Sequence, residues 1–218
     1  MINHVEHGLT IPKIKRETTE SGRRYFTPEG KAYPSITTVL GAGSKQGIME
    51  WRARVGAEEA NRISAFASKR GTAVHTLAEN YLNNDPDWKK GVMPHHLGSF
   101  LDLKEIIDAR LDNVWFQEEF LYSDKLRLAG QVDCIAEFDG KLSVIDFKTS
   151  SKPKKEEWIE NYFIQASFYA AAFYERTGVP IKQIAILITV DGHEAQSFTA
   201  EPYHYLPKLI EIRNSYGP

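Results

Sequence analysis

The sequence predicts one α/β domain in which a central mixed β-sheet is flanked by helices and preceded by a mainly helical extension. Apolar residues recur at helical spacing up to about residue 111, and three alternating apolar segments then predict consecutive strands at 114–122, 128–138 and 142–148. A long helical pattern and a β-branched strand follow. Strands that give way to a helix and a further strand predict a mixed sheet covered on both faces. We therefore expect residues 1–113 to form the extension and residues 114–218 the core of a single domain.

Composition narrows the class of protein. The chain has 218 residues, 42% hydrophobic and 26% charged, which is typical of a soluble globular domain, and its net charge is −2. No apolar run reaches the roughly 20 residues of a membrane helix. The start of the chain lacks the basic and apolar regions of a signal peptide, so we expect a cytoplasmic protein without a membrane partner. The single cysteine, Cys134, excludes an internal disulfide and a four-cysteine iron–sulfur cluster.

The first half is predicted element by element. Residues 1–22 are expected to be irregular, and 23–26 with 31–34 to form a small hairpin. Residues 35–40 suit either a helix start or a strand. The segment 41–47 is expected to be a glycine-rich loop; it lacks the Lys-Ser/Thr ending of a phosphate-binding P-loop. Helices are expected at 48–68, 72–82 and 100–111, with a break at Arg70-Gly71 and a polar loop at 83–96.

The second half carries clearer end signals. A helix over 156–176 is expected to stop at Gly178, with Pro180 beyond it. Strands at 184–190 and 195–199 flank an Asp191-Gly192 turn, and a helix over 203–214 closes the chain.

The stretch from Gly130 to Lys148 is the most informative part of the sequence. Asp139-Gly140 favours a two-residue hairpin turn, and the resulting register places Asp133 opposite Asp146. Two opposed carboxylates repel each other unless a divalent cation binds between them. Lys148 lies two residues after Asp146, so it points to the same face of the strand. The hairpin is therefore expected to present two acids and a lysine together.

This spacing resembles the PD-(D/E)xK nuclease superfamily. Further segments resemble its RecB-like and Cas4-like branch without an iron–sulfur cluster, which includes phage-type and mitochondrial-genome-maintenance-type exonucleases. These segments are Arg70-Gly71-Thr72 with His75 and Glu79, Gln165 with Tyr169, and the stretch Tyr33 to Leu40. The resemblance implies a restriction-endonuclease-like core and a viral or bacterial source.

The resemblance also implies roles for individual residues. Asp133, Asp146, Lys148 and Glu118 are the implied catalytic residues, although the neighbouring Glu119 leaves the choice of Glu118 open. One or two Mg²⁺ or Mn²⁺ ions are expected on His75, Asp133, Asp146 and the carbonyl of Phe147. The residues expected to contact DNA are Gln165, Tyr169, Arg70, Arg52 and Lys152.

The expected function is a metal-dependent DNA exonuclease acting on single strands or DNA ends in recombination, repair or genome degradation. Three alternatives stay open. One is an endonuclease of the same superfamily, the second is a DNA-binding module that does not cut, and the third is a nuclease component that works only with a recombination partner protein.

Overall fold

The computed structural model describes residues 1–20 and 22–217; Ser21 and Pro218 lie outside the described residues. A five-stranded sheet forms its centre, in the spatial order β4-β5-β6-β7-β8. Its strands are β4 Leu111–Ser123, β5 Leu128–Phe138, β6 Lys141–Ser150, β7 Gln183–Val190 and β8 His193–Ala200. Strands β6 and β7 pair in parallel and the other neighbours antiparallel. The predicted mixed sheet is confirmed.

Helices cover both faces of this sheet. The helices are α1 Ile36–Gly43, α2 Lys45–Val55, α3 Ala57–Leu82, α4 Pro94–Arg110, α5 Glu160–Thr177 and α6 Leu206–Tyr216. Helices α3 and α4 share one apolar core with Ile145 and Phe147 of β6. Helices α1, α5 and α6 share a second core with Val144. Because Val144 and Ile145 are neighbours on one strand, they point to opposite faces and separate the two cores.

Helix α5 connects the two parallel strands, which cannot be joined by a tight turn. It ends at Gly178, whose φ of 73° allows the chain to leave the helix, as the sequence predicts. The helix begins at Glu160 rather than at residue 156, because a short 3-10 turn, Glu156–Trp158, precedes it. None of the described helices is long and apolar enough to cross a membrane.

The N-terminal region contains a small sheet that the sequence reveals only in part. Strands β1 Lys15–Thr19, β2 Gly22–Phe26 and β3 Ala32–Pro34 pair antiparallel. The expected hairpin is β2 with β3, but the expectation that residues 1–22 are irregular was wrong for β1. All five residues of β1 are exposed, so no alternation of apolar residues marks the strand, and pairing with β2 holds it instead.

Two helix boundaries also differ from the prediction. The expected glycine-rich loop at 41–47 is mostly helical, since α1 continues to Gly43 and α2 begins at Lys45. The helix break lies at Gly56, not at Arg70-Gly71. Gly56 has a φ of 88°, which glycine adopts at no steric cost, whereas Gly71 lies inside the continuous helix α3.

Candidate active site

The β5–β6 hairpin has the register predicted from its turn. Asp139 and Gly140 have φ values of 52° and 71°, as a two-residue turn of this kind requires. Phe138 pairs with Lys141, and Cys134 pairs with Ile145 at the other end of the ladder. The paired positions end there, and one further step in the same register would bring Asp133 level with Asp146. The turn chemistry therefore fixes which residues face each other across the hairpin.

Asp133 connects the two strands of the hairpin through its side chain. Its Oδ2 accepts a hydrogen bond of 2.8 Å from the backbone N–H of Phe147. Its Oδ1 lies 3.5 Å from Nδ1 of His75, which comes from helix α3. The carboxylate of Asp133 is thus fixed on one side and faces an imidazole on the other.

Asp146, which is buried, and Lys148, which is half-buried, form an ion pair on β6. Burial raises the pKa of Asp146 to about 6, with Lys148 opposing and Asp133 adding to this shift. Burial disfavours the charge of Lys148, but Asp146 and Asp133 outweigh it and raise the pKa of the ammonium. The Nζ of Lys148 also lies 5.2 Å from the centre of the Tyr162 ring. Lys148 is therefore a cation at neutral pH.

The side chains of His75, Glu118 and Asp133 converge from α3, β4 and β5. One ligand atom from each lies within 4.8 Å of the others, close enough for one ion to contact all three. An imidazole with two carboxylates is a donor set that suits Mn²⁺ or Mg²⁺. Asp146 lies beside this cluster, where it interacts electrostatically with Asp133 and His75. The sequence placed Asp146 in the set of metal ligands, whereas the structure groups Glu118 with His75 and Asp133.

Glu118 is held in an unusual conformation. Its φ is 50°, a region that costs a non-glycine residue about 1–3 kcal/mol and is enriched at functional sites. Pairing of Gln117 with Cys134 and of Glu119 with Val132 places Glu118 level with Asp133. Burial, then the charge of Asp133, raises the pKa of Glu118 to about 8. A cation bound here would relieve the repulsion between these two carboxylates.

Glu119 does not join the cluster of described residues. Its Oε1 accepts a hydrogen bond of 3.1 Å from the backbone N–H of Phe120, the next residue on β4. Of the two glutamates that the sequence could not separate, the structure brings Glu118 to Asp133.

The cluster of His75, Glu118 and Asp133 lines a pocket of about 270 Å³, together with Lys148. The described residues that line it are Arg23, Tyr25, Ser35, Thr37, His75, Glu118, Gln131, Asp133, Lys148, Gln165 and Tyr169. Gln165 donates a 3.2 Å hydrogen bond to the hydroxyl of Tyr169. Both residues of the predicted Gln-x-x-x-Tyr element therefore reach the pocket from α5.

Gly130 makes room for Tyr169. A Cβ atom at position 130 would lie 2.9 Å from both Cε1 and Oη of Tyr169 and 3.0 Å from Cγ2 of Ile36. Contacts this short do not occur between properly packed carbon atoms, so the tyrosine can occupy its buried position only beside a glycine.

Three residues expected to contact DNA are not among the described residues that line the pocket. Arg70 is buried and paired with Asp191, so its guanidinium is already neutralised. Arg52 lies on α2 and donates to Asn61 at 2.8 Å. Lys152 is exposed just beyond the end of β6. Burial and pairing disfavour a direct DNA contact by Arg70. Contacts of Arg52 and Lys152 with a part of the DNA that extends beyond the pocket stay predictions.

Sequence reasoning missed five of the described residues in the wall of the pocket, namely Arg23, Tyr25, Ser35, Thr37 and Gln131. Arg23 belongs to a cluster of basic residues near the start of the chain, which is the one sequence signal that could have indicated it. Tyr25 comes from β2, Ser35 forms the N-terminal cap of α1, and Thr37 lies just inside that helix. Gln131 comes from β5, two residues before Asp133. Ser35 and Thr37 lie in the stretch Tyr33 to Leu40 that resembles the family, but no local pattern predicts that this segment folds against β5.

Residues 114–204 match the family described as the PD-(D/E)XK nuclease superfamily. The core of the chain is therefore similar to members of this superfamily. The match begins in β4 and includes the hairpin with Asp133, Asp146 and Lys148, so the resemblance inferred from spacing is confirmed. His75 and the N-terminal wall of the pocket lie before it.

Curated relatives agree with this assignment. The chain is 28% identical to human mitochondrial genome maintenance exonuclease 1 over 62% of this chain and 40% of that protein. It is 32% identical to the mouse protein of the same name over 39% of this chain and 25% of that protein. It is 33% identical to a component of the ATP-dependent helicase/nuclease of Clostridium beijerinckii over 35% of this chain and 6% of that protein. The chain therefore spans less than half of each of these relatives.

The chain is 14% identical to SSO0001, whose crystal structure aligns with a TM-score of 0.37. The alignment covers 66% of this chain and 72% of the SSO0001 chain. A likeness of that size carries no argument about this protein.

Proposed function

We propose that this chain is a divalent-metal-dependent deoxyribonuclease that removes nucleotides from DNA ends, with a preference for single strands. One observation carries the proposal. His75, Glu118 and Asp133 converge from three separate elements in a pocket that also holds Lys148. A structural ion-pair network would not need three ligating groups so close together with two of them acidic.

The proposed metal ligands are His75, Asp133 and Glu118. Asp146 and the carbonyl of Phe147 are proposed as further ligands of the same ion or of a second one. Their chemistry fits Mg²⁺ or Mn²⁺, since two carboxylates and an imidazole supply hard donors and negative charge. When bound, such an ion would supply Lewis acidity toward a phosphate oxygen and make water a better nucleophile at neutral pH.

Lys148 is the proposed residue for electrostatic stabilisation. Its ammonium is charged and half-buried, and it is held by Asp146 on the same face of β6. A preorganised cation at a buried site stabilises the negative charge that develops on phosphorus-bound oxygens during hydrolysis. Asp146 is proposed to fix the position of Lys148 as well as to add negative charge beside the metal ligands.

Asp133 is proposed to be oriented by the backbone of the next strand. The hydrogen bond from the Phe147 N–H occupies Oδ2 and leaves Oδ1 directed toward His75. Gln165 and Tyr169 form the part of the pocket wall contributed by α5, where their amide and hydroxyl groups are suited to hydrogen bonds with a DNA backbone.

The choice of an exonuclease over an endonuclease is supported by the names of the human and mouse relatives. The choice of DNA is supported by the match of the core to the nuclease superfamily. Action in recombination or repair, alone or with a partner protein, is part of the same proposal and is supported by the helicase/nuclease name of the clostridial relative.

Digestion of labelled DNA tests the proposal. Single-stranded, duplex and circular DNA, labelled at either the 5′ or the 3′ end, would be incubated with the purified chain and Mn²⁺, Mg²⁺ or EDTA. We expect linear single strands to be shortened from one end with either metal and to persist in EDTA. Lys148→Ala should lower the cleavage rate by about 10²–10³-fold, whereas Lys125→Ala, a lysine outside the pocket, should leave it unchanged.

Each other outcome has a definite meaning. Cleavage of circles would replace the exonuclease with an endonuclease. Binding of DNA without cleavage by the parent protein would identify a binding module or a nuclease component that requires a partner, and would contradict the proposal. Cleavage in EDTA would contradict the metal dependence.

A further inference from the structure

The N-terminal segment supplies a second cation to the wall of the pocket. Among the described residues that line it, Arg23 and Lys148 are the ones with permanent positive charge. Lys148 is paired with Asp146, whereas Arg23 is exposed and its guanidinium forms no hydrogen bond or ion pair within residues 1–20 and 22–217. Arg23 is therefore available to a ligand in the pocket.

Backbone contacts fix Arg23 relative to the candidate metal residues. The N–H of Ser35 donates a 2.9 Å hydrogen bond to the carbonyl of Arg23. Ser35 also bridges to Ala129 of β5, four residues before Asp133. Ser35 therefore links β2 to β5 through two backbone contacts. These contacts fix the backbone of Arg23 relative to β5.

A side-chain network connects the same small sheet to β4. Arg16 donates to Oε1 of Gln131 at 2.9 Å, and Nε2 of Gln131 donates to the carbonyl of Glu118 at 3.0 Å. The guanidinium of Arg16 also lies 5.5 Å from the centre of the Phe120 ring. Arg16 thus anchors the small sheet to β4. Among the described residues of that sheet, Arg23 is the unpaired cation that lines the pocket.

Thr37 adds a hydroxyl beside Arg23. Its Oγ1 lies 2.7 Å from Oγ of Ser35, and its N–H donates to the same Ser35 oxygen at 3.3 Å. Ser35 is fully buried and Thr37 half-buried, so Thr37 is the hydroxyl of this pair that reaches a ligand.

We propose that Arg23, with the hydroxyl of Thr37, binds a non-bridging oxygen of an internal phosphodiester next to the one that is cleaved. This inference rests on the proposed function. A planar guanidinium donates two parallel hydrogen bonds to a phosphate group and cannot lose its charge in a protein. The contact would position the strand over the metal residues without taking part in bond breaking, so Arg23 is a positioning residue.

Arg24 provides a matched control. It follows Arg23 on β2 and therefore points to the other face of the strand, and it pairs across the small sheet with Pro34. It is not among the described residues that line the pocket. Arg23→Gln and Arg24→Gln each remove one positive charge from β2. Arg23→Gln removes it from the face at the pocket, and Arg24→Gln removes it from the opposite face.

Binding of a fluorescent single-stranded oligonucleotide, measured in Mn²⁺ at several salt concentrations, tests the inference. All variants are made in the Lys148→Ala background, in which cleavage is slow enough for binding to be measured first. We expect Arg23→Gln to raise the dissociation constant about tenfold, the size expected for a hydrogen bond to a charged group. It should also lower the slope of log affinity against log salt by about 0.7, the value for one phosphate contact on a single strand. Arg24→Gln should leave the slope unchanged.

A chemical substitution locates the contact. Oligonucleotides that carry one neutral methylphosphonate at successive internal positions should show one position at which the parent loses affinity and Arg23→Gln loses no more. If the methylphosphonate weakens binding by the same factor in the parent and in Arg23→Gln at every position, Arg23 does not contact an internal phosphate and the inference fails. It also fails if Arg23→Gln alters only the preference for a 5′-phosphate over a 5′-hydroxyl, since the contact would then be to the terminal group.

The two proposals fail in different ways. If Arg23→Gln and Arg24→Gln bind alike while the parent cleaves DNA with Mn²⁺, this inference is wrong and the proposed function stands. If the parent cleaves nothing with Mn²⁺, the proposed function is wrong, whatever Arg23 contributes to binding.

Discussion

Helix α5 borders two depressions of very different character. Near its start, Gln165 and Tyr169 line the pocket of about 270 Å³ that holds the candidate metal residues. Near its end, Tyr174 and Arg176 line a cleft of about 1350 Å³. The cleft is five times larger, yet the groups suited to catalysis gather in the small pocket.

The difference between them is electrostatic. In the large cleft, Glu175 is already satisfied, because it accepts hydrogen bonds from the Ser123 hydroxyl and the Asp124 N–H and pairs with Arg176. In the small pocket, Glu118 and Asp133 repel each other, and burial together with Asp133 raises the pKa of Glu118 to about 8. Carboxylates that are held close together and repel each other indicate a site that binds a cation, whereas cavity size does not.

The largest effect is expected for the lysine of the pocket. Lys148→Ala should lower the cleavage rate by about 10²–10³-fold, the loss typical of removing one preorganised group that stabilises transition-state charge. Lys125→Ala, in the wall of the large cleft, should change the rate little. Single-turnover cleavage of a labelled oligonucleotide measures both rates, and equal rates for the two variants would contradict the contrast between the depressions.

A second comparison separates neighbouring glutamates. Glu118→Gln should weaken Mn²⁺ binding by about 10–100-fold, the range for losing a group that supports a metal site. Glu119→Gln should have almost no effect, since the described contact of Glu119 is a hydrogen bond to the Phe120 N–H. Titration calorimetry with Mn²⁺ provides the measurement. If Glu119→Gln has the larger effect, the cluster is wrongly assigned.

Replacement of Gly130 by alanine tests how packing shapes the small pocket. Gly130→Ala places a Cβ 2.9 Å from the Tyr169 ring, and overpacking of this kind costs about 1–3 kcal/mol of stability. Because the displaced Tyr169 lines the pocket, cleavage should fall as well. Chemical denaturation measures the stability change.

Gly98→Ala is the control for this substitution. Gly98 lies in α4, and a Cβ there would meet no atom within 4 Å. It should stabilise the protein by about 0.5–1 kcal/mol, because alanine is favoured over glycine within a helix. If both substitutions had the same effect, the close approach of Tyr169 to Gly130 would be wrong.

The smallest effect concerns pH. In metal-free protein, burial and the charge of Asp133 raise the pKa of Glu118 from 4.5 to about 8. The Glu118 carboxyl therefore binds its proton more tightly in the folded state than in the unfolded state. The resulting contribution to the free energy of unfolding is lost as pH rises from about 4.5 to about 8. Thermal unfolding in EDTA should show the parent losing stability relative to Glu118→Gln over this interval. A constant difference between the two proteins would contradict the raised pKa.

The sequence predicted the parts of the site that local rules determine. Asp139-Gly140 requires a particular turn, the turn sets the register, and the register places Asp133 level with Asp146 and puts Lys148 on the same face as Asp146. The alternation of apolar residues likewise predicted β5 to its last residue. In these cases the information lies within about twenty residues of chain.

The sequence failed where placement depends on distant contacts. Strand β1 is exposed along its whole length, so no burial pattern marks it, and its role is to carry Arg16 to Gln131. The choice between Glu118 and Glu119 depends on a φ of 50° at Glu118, which no local pattern indicates. Arg70 stood in a segment that resembled the family, yet the partner that buries it, Asp191, lies 121 residues away.

The most direct test of the central claim is to count and locate the bound ion. Electron paramagnetic resonance with Mn²⁺ would be recorded for the parent, for Asp133→Asn and for Asp191→Asn, whose carboxylate lies outside the pocket. The account predicts that the parent and Asp191→Asn bind Mn²⁺ equally and that Asp133→Asn loses the site together with DNA cleavage. Binding of Mn²⁺ by Asp133→Asn at the affinity of the parent would contradict it.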